Sequence, residues 1–236
     1  MAVTVAIAGI TSKFTRLMLK NLLEQPKVNI WGFCRNPKKL PEHIRSSTCV
    51  TIVARDAGSS SALRHFAKRC DVVICCYLGE TTLMTEGQKL LVEACDEENA
   101  PRYIDSDYCI DFTKLEYGQH PAKDPMKHSL ETGKAFAKSR TNLLRFTEDS
   151  QCFNSLGSQD DLYNTMQVAF QKVPSNIFAY LALFYQYYCI NGQTYLKNDL
   201  DNARYLDVKP VTFEKFMQPH KLVELPDTYQ NAGADA

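Results

Sequence analysis

The chain has no net charge: 27 lysines and arginines face 27 aspartates and glutamates over 236 residues. Such a balance leaves no broad electrostatic footprint for a nucleic acid or an anionic membrane surface. Long apolar runs are missing too, since no stretch approaches the roughly 18 apolar residues that a membrane span requires. The nine cysteines (Cys34, Cys49, Cys70, Cys75, Cys76, Cys95, Cys109, Cys152 and Cys189) contain no Cys-x-x-Cys pair. Several sit inside apolar, strand-like runs and read as reduced, buried small side chains, which argues against a disulfide framework or a zinc site. No basic segment precedes the first apolar run and Lys13 follows it early, so no secretory leader is expected and a cytoplasmic setting is. His43, His65, His120 and His220 are scattered without a carboxylate or cysteine at ligand spacing, which predicts no metal site. Internal repeats and low-complexity tracts are absent. With 44% apolar residues the chain can bury the core of one domain, or one and a half.

What is present is alternation. Apolar runs at 3–8, 28–34, 49–53, 71–77 and 101–105 read as strands, and amphipathic stretches at 13–24, 59–69 and 82–98 as helices, with a helix or turn at 37–45. Short apolar strands separated by helices need crossover connections, hence a parallel sheet covered on both faces, its ligand crevice at the strands' C-terminal ends. The fold class expected is α/β, a Rossmann-like doubly wound parallel sheet with a small, mostly helical C-terminal substrate part. Beyond residue 113 the pattern weakens: Gly118 to Pro125 reads as a polar loop and 136–158 has no clear period. A helix at 159–171 capped by Ser158 or Asp160 follows, then an aromatic-rich one at 174–190 and a short one near Thr212, with 231–236 frayed. In the aromatic helix Phe178, Leu181 and Tyr185 fall three and four apart and make one buried stripe, packing as core or subunit contact rather than lining a pocket. The division expected is a dinucleotide-binding domain at 1–128, an irregular connection at 129–157 and a helical region at 158–236.

The turn after the first strand is Gly9-Ile10-Thr11-Ser12-Lys13-Phe14-Thr15. A phosphate-binding turn uses three glycines: one for curvature, one for close approach of the pyrophosphate, one for helix-to-strand packing. Only the first remains here, with Ser12 and Thr15 at the other two places. The helix N-terminus still offers amides and a partial positive charge, Thr11 or Ser12 can donate a hydroxyl, and Lys13 adds a full charge. At the end of the second strand, where an NAD site places an acid, the chain has Arg35, with Lys38 and Lys39 behind it. A guanidinium there grips a 2'-phosphate in bidentate fashion, so NADP(H) is the expected cofactor.

These segments resemble the NmrA-like, isoflavone-reductase-like group of atypical short-chain dehydrogenases. The resemblance rests on Ala6-Ile7-Ala8-Gly9 through Thr15, Arg35-Asn36-Pro37, Cys70-Asp71-Val72-Val73-Ile74 with Gly79, and Arg102-Tyr103-Ile104-Asp105-Ser106-Asp107-Tyr108. It extends through Asp111 to Glu116, Asp124-Pro125-Met126-Lys127-His128 and Tyr205 to Pro210. It implies an NADP(H)-binding domain with cofactor contacts at Gly9, Thr11, Ser12, Lys13, Phe14, Arg35, Lys38, Asp56, Tyr77, Leu78 and Gly79. The chain departs from the family in its glycines and in its length: no sixth strand is legible between His128 and Ser158.

For catalysis the sequence lacks the Tyr-x-x-x-Lys pair at the expected place; Tyr205 and Lys209 have that spacing but sit beside Pro210, far downstream. The resemblance implies a lysine soon after the Asp-Pro segment, Lys134 with Lys127 as the other choice, acting as general acid or base. Ser106 and Tyr108, at the edge of the fifth strand, are candidates to hydrogen-bond a substrate carbonyl, although Ser106 and Asp107 can equally cap a turn. The activity implied is hydride transfer to a small, aromatic or polyketide-like substrate. A non-catalytic dinucleotide sensor and a redox-neutral isomerase or cyclase are the other readings of the same fold. Partners expected are a small-molecule substrate, no nucleic acid and no membrane, with a homodimer or a regulatory protein partner left open.

Overall fold

A computed structural model of the chain describes residues 2–106, 110–128 and 157–195, together with Lys215 and Gln218. Its centre is β1 (Val3–Ala8), whose small and branched apolar residues from Val5 to Ala8 are buried on both sides. Successive residues of a strand point to opposite faces, and β1 shows it: Ala6 and Ala8 belong to one apolar cluster, Val5 and Ile7 to another. That is why the run is continuous rather than alternating.

β1 pairs in parallel with β2 (Val28–Cys34) on one side and with β4 (Val72–Cys75) on the other. β3 (Val50–Ala54) flanks β2 and β5 (Tyr103–Ile104) flanks β4, all parallel, giving the order β3-β2-β1-β4-β5. The direction of winding reverses between β1 and β4, and the crevice above that point is where an open parallel sheet takes its ligand.

One face is covered by α1 (Lys13–Leu23) and α2 (Glu42–Arg45), which deliver Leu19 and Ile44 to the cluster of Val5, Ile7 and Ile30. The other carries α3 (Ser60–Ala67) and α4 (Gln88–Glu97), with Leu63, Phe66, Leu91 and Ala94 against Ala6, Phe33 and Val73. Fully burying such a leucine contributes about 2 kcal/mol. The expected helix at 82–98 is divided: a wider π-type turn at Leu83–Gly87 precedes α4. The doubly wound sheet is thus as the sequence predicts. Five of the seven described cysteines are buried within it, and burial pushes the thiol of Cys70 up to about 11 and that of Cys95 to about 12.

The described stretch 157–195 carries two α-helices, α5 (Gln159–Lys172) and α6 (Leu181–Ile190). α5 opens on a capping box, Ser158 accepting from the Asp161 amide while Asp161 returns the bond. Met166, Phe184 and Tyr188 join the same cluster as the α3–α4 face, so apolar contact runs unbroken from sheet to C-terminal helices. The buried stripe of α6 differs from the expected one. A 3-10 turn at Ile177–Ala179 precedes α6 and resets its phase, so Tyr180, Phe184 and Tyr188 face inward and Phe178 is 72% exposed. No helix among the described residues is long and apolar enough to cross a membrane.

Candidate functional site

The β1–α1 turn stands over the reversal point. Gly9 takes φ +81, and a Cβ there would lie 2.7 Å from the Cys76 carbonyl oxygen, so no other residue fits. Its amide donates to Phe33 O at 2.9 Å, and Ser12 N donates back to Gly9 O at 2.9 Å, which closes the turn. Ile10 is fully buried and plugs into β2 at Gly32, where a Cβ would come within 2.3 Å of the Ile10 Cδ1.

The two lost glycines are explained together. The Ser12 Oγ accepts from Thr15 N at 3.2 Å as the N-cap of α1, so its side chain folds back on the helix. The Thr15 hydroxyl is fully buried, 2.7 Å from Ser12 Oγ, and donates to Gly9 O at 3.2 Å. The hydroxyls close on each other and on the turn, while the positive end of α1 remains directed at the C-terminal edge of β1. The residues present therefore fit a pyrophosphate.

At the end of β2, Asn36 caps a 3-10 turn (Pro37–Lys39) by accepting from Lys38 N at 3.0 Å. Arg35, Lys38 and Lys39 are exposed there, and Arg16 from α1 reaches across to the Lys39 carbonyl at 3.4 Å. This cluster of cations around one strand end has the chemistry of a phosphomonoester site. Asp56, beyond β3, is exposed and takes the Gly58 amide at 2.9 Å.

Of the residues expected after β4, Tyr77 is buried while Leu78 and Gly79 are exposed. The Tyr77 ring lies beneath the turn, 3.4 Å from where a Gly9 Cβ would be; its hydroxyl has no hydrogen-bond partner among the described residues, and burial raises its pKa. Phe14 is half exposed on the outer face of α1. Ser106 donates its hydroxyl to the Tyr77 carbonyl at 2.6 Å, and its amide lies 3.3 Å from Gln88 Oε1. Ser106 thus pins β5 to β4, its proton committed and its lone pairs left to accept. Tyr108 and Lys134 lie outside the described residues, as do Tyr205 and Lys209. Lys127 lies over the Tyr117 ring at 4.6 Å and donates to Leu115 O.

Sequence reasoning passed over two buried groups, His120 and Lys123, 1% and 2% exposed. They sit in the stretch read as a polar loop, which instead folds against α6: His120 touches the rings of Phe184, Tyr185 and Tyr188. A separate open groove of about 430 Å3 runs along β3, lined by Arg55, Ser59 and His65 among others and by none of the turn residues. No group of three histidine, cysteine or acidic side chains among the described residues could hold a metal ion.

A family described as NAD(P)H-binding matches residues 9–141, more than half of the chain. No curated protein matches the sequence. Among solved structures, that of an isoflavone reductase aligns with a TM-score of 0.65 at 12% identity, covering 93% of this chain and 99% of that one. A Rossmann-fold NAD(P)-binding family protein from Shigella flexneri aligns at 0.50 and 17% identity, over 65% of this chain and 73% of that one. NmrA, a negative transcriptional regulator, aligns at 0.52 and 13% identity over 61% of this chain, which spans 45% of its length. At these identities the likeness is one of fold, and it agrees with the resemblance read from the sequence.

Proposed function

On the premise that the chain belongs to the NAD(P)H-binding family, we propose that it is an NADPH-dependent oxidoreductase acting on a small molecule. The observation that carries the reading is the pairing of an intact, closed β1–α1 turn with the cations at the end of β2. The turn's Gly9, Thr11, Ser12, Lys13 and Phe14 would hold the pyrophosphate, and Arg35 and Lys38 the 2'-phosphate, while an acid in their place would repel it. Asp56, Tyr77, Leu78 and Gly79 would border the adenosine and the middle of the dinucleotide.

The bound dinucleotide would supply the hydride. The protein's part is orientation and a proton: residues 1–128 serve as the binding domain, and 158–236 cover the reacting end. Lys134 is our assignment for the acid, with Tyr108 as donor to the substrate oxygen and Ser106 contributing acceptor lone pairs. We place the reaction in the cytoplasm.

The test is a titration of NADPH and NADH followed by nicotinamide fluorescence, with Arg35→Glu beside the parent. The expected result is tighter binding of NADPH, weakened about 10- to 100-fold by the substitution (roughly 1.4–2.8 kcal/mol), with NADH little changed. Equal, weak binding of both cofactors removes the NADPH assignment. Tight binding without turnover of any carbonyl compound favours the dinucleotide-sensing alternative.

A further inference from the structure

β3 closes the sheet on one side, and no strand among the described residues pairs with its outer edge. The register with β2, together with the bonds from Ile30 N to Cys49 O and from Arg55 N to Cys34 O, commits the odd-numbered residues of this stretch to that neighbour. The even-numbered ones therefore turn their N–H and C=O groups outward. Both ends of this row are closed within the chain: Val50 N donates to Ser47 O at 3.2 Å, and the Arg55 guanidinium donates to Ala54 O at 2.9 Å. Between them Val50 O, Ile52 N–H, Ile52 O and Ala54 N–H stand without a partner among the described residues.

Edge strands are normally blunted by a charged side chain, a proline, a bulge or a covering element. Val50-Thr51-Ile52-Val53-Ala54 holds no charge and no proline, and its register with β2 runs without a bulge. Alongside it lies the open groove of about 430 Å3, which Val53 and Ala54 line from the strand and Ser61, Ala62 and His65 from α3. The His65 ring is set against Trp31 of β2 with centroids 5.8 Å apart, so the single tryptophan of the chain adjoins the groove.

A row of alternating acceptors and donors at strand spacing is complementary to another extended backbone, and side-chain pockets beside such a row select which one. The ionisable side chains lining this groove are Arg55 and His65, and no acid among the described residues lines it. Asp56, next in the chain, is engaged by the Gly58 amide at 2.9 Å. An incoming segment therefore gains from carboxylates of its own. The β3 strand of a second copy would bring none, since Val50 to Ala54 contains no acid, and it would leave both groups unmatched.

We propose that the outer edge of β3 receives an extended segment of a partner protein as a sixth strand, with acidic side chains of that segment lying over Arg55 and His65. This docking surface is separate from the β1–α1 turn, none of whose residues line the groove. It stands or falls independently of the cofactor.

The probe is the peptide acetyl-TVEVEVT-amide, titrated into the full chain and followed through the emission of Trp31. A saturable change is expected, with affinity at least tenfold weaker for acetyl-TVKVKVT-amide and the order of the two reversed in Arg55→Glu. Alternate amides of an added strand face its neighbour, so of two acidic peptides N-methylated at only odd or only even positions, one should bind as the unmodified peptide does and the other fail. No saturable change, equal affinity for the acidic and basic peptides, or equal binding of the two methylated ones overturns the proposal. Sedimentation of the chain as a dimer that saturating acidic peptide does not dissociate would assign the edge to a second copy and overturn it as well.

Discussion

At the scale of single residues, titration of His120 gives stability a pH dependence of known sign. Its pKa is about 4 in the folded chain against 6.5 for the ordinary imidazole. Between those values the unfolded chain binds the proton more readily, so stability falls as pH drops from 6.5 to about 4 and levels off below. The loss is on the order of 3 kcal/mol at most. Denaturant midpoints measured across that window should decline for the parent and be visibly flatter for His120→Phe; parallel curves would show that the imidazole titrates normally. None of this was legible in the sequence. His120 and Lys123 lie in a polar stretch with glycine and proline, and what buries them is α6, more than 50 positions downstream. Arg35 was legible for the opposite reason: a charged residue closing an apolar strand needs no distant partner to fix its place.

At the scale of elements, helix α1 is where local chemistry and binding geometry coincide. Removing an N-cap costs about 1 kcal/mol, so Ser12→Ala should lower the melting temperature by a few degrees, a size typical of 1 kcal/mol in a domain this long. It should also weaken dinucleotide binding, because the cap positions the amides of the turn; a variant that melts earlier but binds as the parent would separate the two roles. The strands were readable because both faces of the sheet are covered, which makes them predominantly apolar runs, interrupted only by single polar residues such as Thr4, Asn29 and Thr51. The buried side of α6 was not, since a 3-10 turn of three residues shifts the helical phase and periodicity alone does not reveal where the helix proper begins. The degenerate glycines likewise looked like damage when read singly. Only the hydrogen bonds among Ser12, Thr15 and Gly9 show them to be a joint replacement.

At the scale of the whole molecule, one apolar cluster extends from the α3–α4 face of the sheet into α5 and α6. Met166, with no exposed surface, is part of that join. Truncating such a buried methionine to alanine costs about 2–5 kcal/mol. Met166→Ala should accordingly lower a single unfolding transition rather than detach the helices from an otherwise intact sheet, as near- and far-ultraviolet circular dichroism recorded on the same samples will reveal. Two separated transitions would mean that the cluster is weaker than its burial implies.

The hydroxyl clasp at the start of α1, together with the seating of Ile10 in β2, fixes the shape of the loop through contacts made within the chain. Association with a phosphorylated nucleotide then carries little entropic penalty for ordering that loop. Encounter rates should be set by diffusion and by the attraction of the Arg35 cations, falling steeply as salt is raised, with no slow rearrangement phase.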